Sequence, residues 1–166
     1  MKNKKRKSSK KREEFDSDVL DIARVTRVTA GGQRMRFRVT VAVGDKKGRV
    51  GIGMGKGLDI AKSIEKAKKR AEKNLIKVPI HENTIFHEVK AKFGSSEVLL
   101  KPQSKGRGLV AGGVMRTLCN LAGIKDISAK KISRGKNKIN NANATLEAFK
   151  QLKETQENAT SSTKTK

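Results

Sequence analysis

Residues 34–57 read Arg-Met-Arg-Phe-Arg-Val-Thr-Val-Ala-Val-Gly-Asp-Lys-Lys-Gly-Arg-Val-Gly-Ile-Gly-Met-Gly-Lys-Gly, and their period of two narrows the possible folds more than any other stretch. Successive side chains on a strand point to opposite faces. Met35, Phe37, Val39, Val41 and Val43 therefore fall on one face, and Arg34, Arg36, Arg38 and Thr40 on the other. After a turn at 44–48 the pattern resumes, with Val50, Ile52 and Met54 on one side and Gly51, Gly53 and Gly55 on the other. The alternation predicts two antiparallel strands with one apolar face. It also predicts an arginine row beside a strip without side chains. Such a surface suits the close approach of a polyanionic backbone, because guanidinium pairs bidentately with phosphate and glycine leaves room for contact.

The charge balance points to the same partner. Forty Lys and Arg against sixteen Asp and Glu give 166 residues a formal charge of +24. Self-repulsion on that scale opposes a compact free state unless a polyanion neutralises it, and nucleic acid is the simplest one. A membrane surface is the competing polyanion. No apolar run is long enough to span a bilayer, and no basic segment carries the bulky apolar face of an interfacial helix. The lysine-rich N-terminus continues into Ser8, Ser9 and further charge, unlike a signal peptide, so a cytoplasmic location is expected. Cys119 is the sole cysteine and His81 and His87 are the only histidines, so neither a disulfide framework nor a zinc site is expected. Trp and Tyr are absent and the five Phe are scattered, which leaves few rings for base stacking. Recognition is expected to run through phosphate, sugar and shape.

Eight of the first twelve residues are Lys or Arg, and no hydrophobic period appears before Val19. Residues 1–17 are read as a basic disordered tail, and 154–166, rich in Ser, Thr, Asn and Gln, as a second one. Between them lie two blocks, 18–78 and 84–153, joined by a linker at 79–83. The first is read as a strand at 20–28, a loop at 29–33, the two alternating strands, and a helix over 59–77. In that helix Ile60, Ile64, Ala67, Ala71, Leu75 and Val78 recur at helical spacing. Lys62, Lys66, Lys69, Lys73 and Lys77 form a second stripe, read either as a phosphate contact or as a solvated face locally paired with Glu65 and Glu72. The second block is read as a hairpin turning at Gly94 and Ser95, and a glycine turn at 106–108 leading directly into a helix carrying Val110, Val114, Leu118 and Leu121. A strand near 127–132 and a last helix bearing Ile139, Ala142, Leu146 and Phe149 follow. Blocks of this size bury a modest fraction of their surface and are expected to be marginal alone.

Two motifs look enzyme-like and fail on context. Gly106-Arg107-Gly108-Leu109-Val110-Ala111 fits a dinucleotide fingerprint with Asp126 twenty residues on, but the preceding strand belongs to a hairpin, Pro102 interrupts it, and the block is too short for a doubly wound sheet. In 51–57 the Gly55-Lys56 pair is followed by Gly57 instead of Ser or Thr, so it is not a phosphate loop of the Walker kind. Glu13, Glu14, Glu82 and Glu88 lack a neighbouring base, nucleophile or metal set. No catalytic role, cofactor, metal or small-molecule substrate is expected.

The chain closely resembles the bacterial small-subunit ribosomal protein S five family. Matching elements are Arg24-Val25-Thr26, Gly31-Gly32, Val43-Gly44-Asp45, the run 48–56, the run 108–113, Met115-Arg116, the run 121–124 and Ala144-Thr145. The resemblance runs in order from about residue 18 to 152. It implies an α+β chain with an N-terminal double-stranded-RNA-binding-like β-β-β-α domain and a C-terminal β-β-α-β-α domain with a left-handed β-α-β crossover. It also implies binding to 16S ribosomal RNA where head and body of the small subunit meet, near the path by which messenger RNA enters, with ribosomal proteins S four and S eight as neighbours and a role in translational accuracy. The family usually carries Lys before the paired glycines and Arg after them, where this chain has Ala30 and Gln33, and its Gly-Thr-Gly turn is Gly106-Arg107-Gly108 here.

Pattern and resemblance together nominate Arg24, Arg27, Gly31, Gly32, Gln33, Arg34, Arg36, Arg38, Lys46, Lys47, Arg49 and Lys56 for ribosomal RNA contact. Gly106, Arg107, Gly108, Gly112, Gly113 and Arg116 are nominated for protein contact. The competing reading is a free-standing double-stranded RNA-binding regulator using the same basic face.

Overall fold

The structure is a computed structural model and describes residues 15–152; the tail residues outside that range fall outside the description. It contains two four-stranded sheets, ordered β1-β2-β3-β4 and β5-β6-β8-β7, with one helix on the first and two on the second. The first sheet comprises β1 (Asp16–Thr29), β2 (Gly32–Gly44), β3 (Arg49–Gly57) and β4 (Ile76–Lys77), with α1 (Ile60–Lys73) between the last two. β1 begins at Asp16, so residues 16 and 17, read from sequence as tail, belong to the first strand. The predicted loop at 29–33 is a two-residue turn: Thr29 pairs with Gly32, only Ala30 and Gly31 lie between, and the Thr29 hydroxyl donates to the Gly32 carbonyl at 2.9 Å.

Register decides what each face does. Val39, Val41 and Val43 stand opposite Gly55, Gly53 and Gly51, so valines and glycines share one face. A Cβ built on Gly51 would lie 2.6 Å from the Ala71 carbonyl oxygen, and Cβ atoms on Gly53 and Gly55 would overlap the backbone at Ala67 and Ser63. The facing residues Ser63, Ala67 and Ala71 are fully buried. Small residues on both elements let α1 lie almost backbone to backbone on the sheet. The glycine strip is thus the seat of α1, which corrects the expectation that it leaves room for a polyanion. It also lies on the face opposite the arginines. The helix is shorter than its apolar spacing predicts: it stops at Lys73 with Asn74 as C-cap, and Ile76 returns as β4 to pair with Val50. The β-branched pair across a half-buried edge outcompetes another helical turn.

The second sheet comprises β5 (Val89–Phe93), β6 (Ser96–Pro102), β7 (Leu109–Ala111) and β8 (Ile127–Lys131), with α2 (Gly113–Ala122) and α3 (Lys138–Gln151). The hairpin turns at Gly94-Ser95 as its glycine suggests, with Gly94 at φ 58°. Leu109–Ala111 is a strand parallel to β8, so α2 is the crossover of a β-α-β unit and starts at Gly113, later than the sequence suggested. Val110 consequently lies on a strand and is exposed. Gly123 at φ 89° ends α2, with the Ile124 N–H returning to the Cys119 carbonyl. Asn137 caps α3 by accepting from the N–H groups of Ile139 and Asn140.

The two sheets are not independent. One core cluster joins Leu20, Ala42, Val50 and Val78 of the first to Met115, Leu118, Leu121 and Phe149 of the second. A bulge at Leu20, between the pairs made by Val19 and Asp21, turns that side chain into this core. The turn after β2 then plugs the end of α2: Lys46 N–H donates to Leu121 O at 3.0 Å and Gly48 N–H to Ala122 O at 2.9 Å. Two carbonyls that a helix end leaves without partners are satisfied across the domain boundary. Blocks that would be marginal alone thus complete each other.

Candidate nucleic-acid interface

The domain contact explains why the arginine row is cationic only in part. Thr40 and Ala42 share a face with Arg34, Arg36 and Arg38, yet both are fully buried because α2 covers that half of the face. The basic surface begins where this cover ends. β3 pairs with β2 only as far as Phe37, so from there to the turn the β1-β2 hairpin projects as a two-stranded ribbon. Five residues on β1, from Val25 to Thr29, make its length about 17 Å.

On the ribbon, Arg27 pairs with Arg34 and Val25 with Arg36, while Lys56 stands opposite Arg38. Like charges directly across a strand pair repel. Here they converge on one groove of about 510 Å³, lined by Val25, Thr26, Arg27, Thr29, Arg34, Arg36 and Lys56. A cluster of cations on an exposed ribbon with no acidic partner among the described residues is stabilised by an incoming polyanion, and phosphate oxygens are the acceptors that fit guanidinium best. At the tip, Gly32 takes φ 122°, which favours glycine, whereas a Cβ on Gly31 would meet nothing within 4 Å. Gln33 and both glycines are exposed there.

The other nominated cations are not part of this groove. Arg24 pairs with Phe37 and so lies on the opposite face of the ribbon. Arg38 is half-buried with its Nη2 3.9 Å from Asp21, whose other oxygen accepts from Lys138 of α3 at 3.1 Å. Asp21 thereby links ribbon base and second domain, a role that sequence alone gave no means of seeing. Lys46, Lys47 and Arg49 sit at the far end of β2, roughly 40 Å from the tip at 3.3 Å per residue. There Asp45 organises the turn, accepting from the N–H groups of Lys47 and Arg49 and from Arg49 Nε at 2.6 Å. Burial works against its charge, but the bonds from Arg49 and Lys47 outweigh it and lower its pKa from 3.8. The Arg49 guanidinium also lies 5.4 Å from the centre of the Phe15 ring. Exposed Lys46 pairs with Asp16 at 2.6 Å, and that bond raises its pKa.

The nominated protein-contact residues bracket β7. Gly106 and Gly108 have φ of 89° and 76°, and the Gly108 N–H donates to the buried Asp126 carboxylate at 2.8 Å. Asp126 therefore holds the turn that displays exposed Arg107, and the turn opens into a strand instead of the helix a dinucleotide fingerprint requires. Gly112 and Gly113 open α2, and Arg116 is exposed in its first turn. Cys119 is enclosed, and burial pushes its thiol up to about 12. Among the described residues no group of three or more His, Cys, Asp or Glu is placed to hold a metal ion.

Two interlocked α+β domains with a projecting arginine ribbon present a cationic surface of the kind that RNA-binding structural proteins offer to a polyanion backbone. Residues 15–79 match the family described as ribosomal protein S5, N-terminal domain, and residues 91–162 match ribosomal protein S5, C-terminal domain. Proteins named small ribosomal subunit protein uS5 from Thermus thermophilus, two of them from individually named strains, are 42% identical over 140 residues, covering 84% of this chain and 86% of theirs. The chain belongs to the ribosomal protein S5 family.

Proposed function

We propose that this chain is a structural constituent of the small ribosomal subunit in the cytoplasm, binding 16S ribosomal RNA at the junction of head and body near the messenger path. It steadies the head and supports accurate decoding, with ribosomal proteins S4 and S8 as neighbours. The observation that carries the RNA contact is the groove of Arg27, Arg34, Arg36 and Lys56 on a ribbon projecting beyond the sheet. The Gly106–Gly108 turn with Arg107 and the exposed Arg116 form the surface assigned to S4. The far-end cations Lys46 and Lys47 are a separate point of RNA contact, outside the ribbon groove.

Gly31→Asp tests the ribbon. Its backbone is outside the left-handed region and a side chain there enters open space, so the fold tolerates the change while the added charge repels phosphate. Subunits carrying it are expected to retain the protein but show altered chemical protection of 16S RNA near the head-body junction. Wild-type protections there would sink the assignment. Cosedimentation with small subunits at physiological salt separates it from a free-standing double-stranded RNA-binding regulator, which would stay unbound.

A further inference from the structure

The geometry points to a second RNA-binding surface on the outer face of α1, so that the first domain joins two separate RNA segments, one on each side of its sheet. The inference extends the ribbon contact proposed above to a face it does not include. Lys62, Lys66, Lys69 and Lys73 recur at steps of four, three and four residues and, with Glu65 and Arg70, line one shallow groove along the helix. The stripe is about 16 Å long at 1.5 Å per residue. A duplex carries one negative charge per roughly 1.7 Å of axis, both strands counted, so that length contains on the order of ten phosphates, more than the four lysines need.

Three observations favour RNA over solvent. Glu65 and Glu72 form no ion pair with the stripe: among the described residues neither carboxylate is within ion-pair distance of a lysine, so five cations share the groove with the single carboxylate of Glu65. Arg70 is held by its Nη1 donating to the Met54 carbonyl at 2.7 Å, which fixes one wall of the groove to the sheet. The underside of the helix is also rigidly seated, since Ser63, Ala67 and Ala71 lie against Gly55, Gly53 and Gly51 with no space to spare. Such a support fixes the points from which the lysines extend in one line.

The ribbon groove cannot serve the same segment. Arg34 and Arg36 alternate with Val39 and Val41, and the valines face α1, so ribbon and stripe cations point away from each other. A sheet and a helix of about 10 Å diameter separate them by roughly 20 Å. One straight duplex touching the stripe therefore cannot reach the ribbon groove.

Full-length protein mixed with two differently labelled 20-base-pair RNA duplexes is expected to give energy transfer between them at twofold RNA excess. Replacing Lys62, Lys66, Lys69 and Lys73 with Gln should abolish transfer and lower the slope of log affinity against log salt by about 2.8–3.6, the value for four lost phosphate contacts. The corresponding Lys→Arg variant should retain transfer, and circular dichroism should show both variants folded. Replacing Arg27, Arg34 and Arg36 with Gln should also abolish transfer while leaving one duplex bound through the stripe. Transfer and slope unchanged in the Gln stripe variant would overturn the inference. If instead the ribbon variant keeps full transfer, the ribbon assignment fails and the two-sided bridge with it, while a slope lowered in the Gln stripe variant alone identifies the helix surface as the RNA contact.

Discussion

Gly53→Ala separates two physical explanations of the glycine strip. If Gly51, Gly53 and Gly55 exist to admit RNA, a methyl group at Gly53 weakens binding and leaves the fold alone. The structure requires the opposite, because a Cβ at Gly53 falls against the Ala67 carbonyl and the Ala71 N–H, and only 3.0 Å from the Ala71 Cα. All of these are backbone atoms, so no flexible side chain can yield. α1 must lift, and its contacts with Val39, Val41 and Val43 loosen with it. Overpacking costs typically 1–3 kcal/mol, and with unyielding neighbours the upper end of about 3 kcal/mol applies. At roughly 2–4 °C per kcal/mol for a chain of this size, thermal unfolding followed by circular dichroism should shift down by about 6–12 °C. Gly31→Ala is the control, since its side chain enters open space and should shift the midpoint by no more than about 2 °C. A normal midpoint for Gly53→Ala together with weakened RNA affinity would refute the packing explanation and restore the strip as an RNA contact.

Replacing Arg34 and Arg36 with Ala should lower the salt slope of RNA affinity by about 1.4–1.8 without changing the unfolding midpoint, as measured by fluorescence titration across salt concentrations. Asp45→Ala leaves the N–H groups of Lys47 and Arg49 without their acceptor and should cost about 1–3 kcal/mol in urea unfolding. Because the folded pKa of Asp45 is depressed, its contribution is fully present above the unfolded value near 3.8 and is lost as pH falls through the lower folded value. The stability gap between wild type and Asp45→Asn should therefore close below about pH 4, and a gap that widens on acidification would contradict that role. Asp126→Ala should free the Gly106–Gly108 turn, seen as faster hydrogen exchange at the Gly108 amide with the β6-β8 amides still protected.

Much of the fold is legible in the residues. Alternation locates β2 and β3, Gly94 marks the hairpin turn, and Gly123 marks the end of α2. The error on the glycine strip is one of register. Alternation assigns faces within a strand, but which face of β3 continues which face of β2 depends on the turn at 44–48, where Gly44 pairs with Val50. That register puts glycines with valines and leaves Val50 and Ile52 to the second domain, which no local pattern reveals. β7 is hidden for a related reason, since a three-residue edge strand is too short to show a period and the glycines around it read equally well as a helix start. The candidate site is half legible: the ribbon arginines follow from alternation, whereas the split between ribbon and far-end cations needs the length and pairing of β2.

The shared core also sets a schedule for synthesis. The first sheet is complete once Lys77 has been made, but the face carrying Leu20, Ala42, Val50 and Ile52 lacks its α2 cover until Ala122, the last residue of α2, follows, and Phe149 of α3 joins the same core later still. At 5–20 residues per second those 45 residues take about 2–9 s. Throughout that window the nascent chain exposes an apolar patch beside a strongly cationic ribbon, the combination most prone to stray association. Because the C-terminal carbonyls of α2 are capped by Lys46 and Gly48, completing that helix and docking it on the first sheet are coupled events, and α3 then closes the remaining core with Phe149.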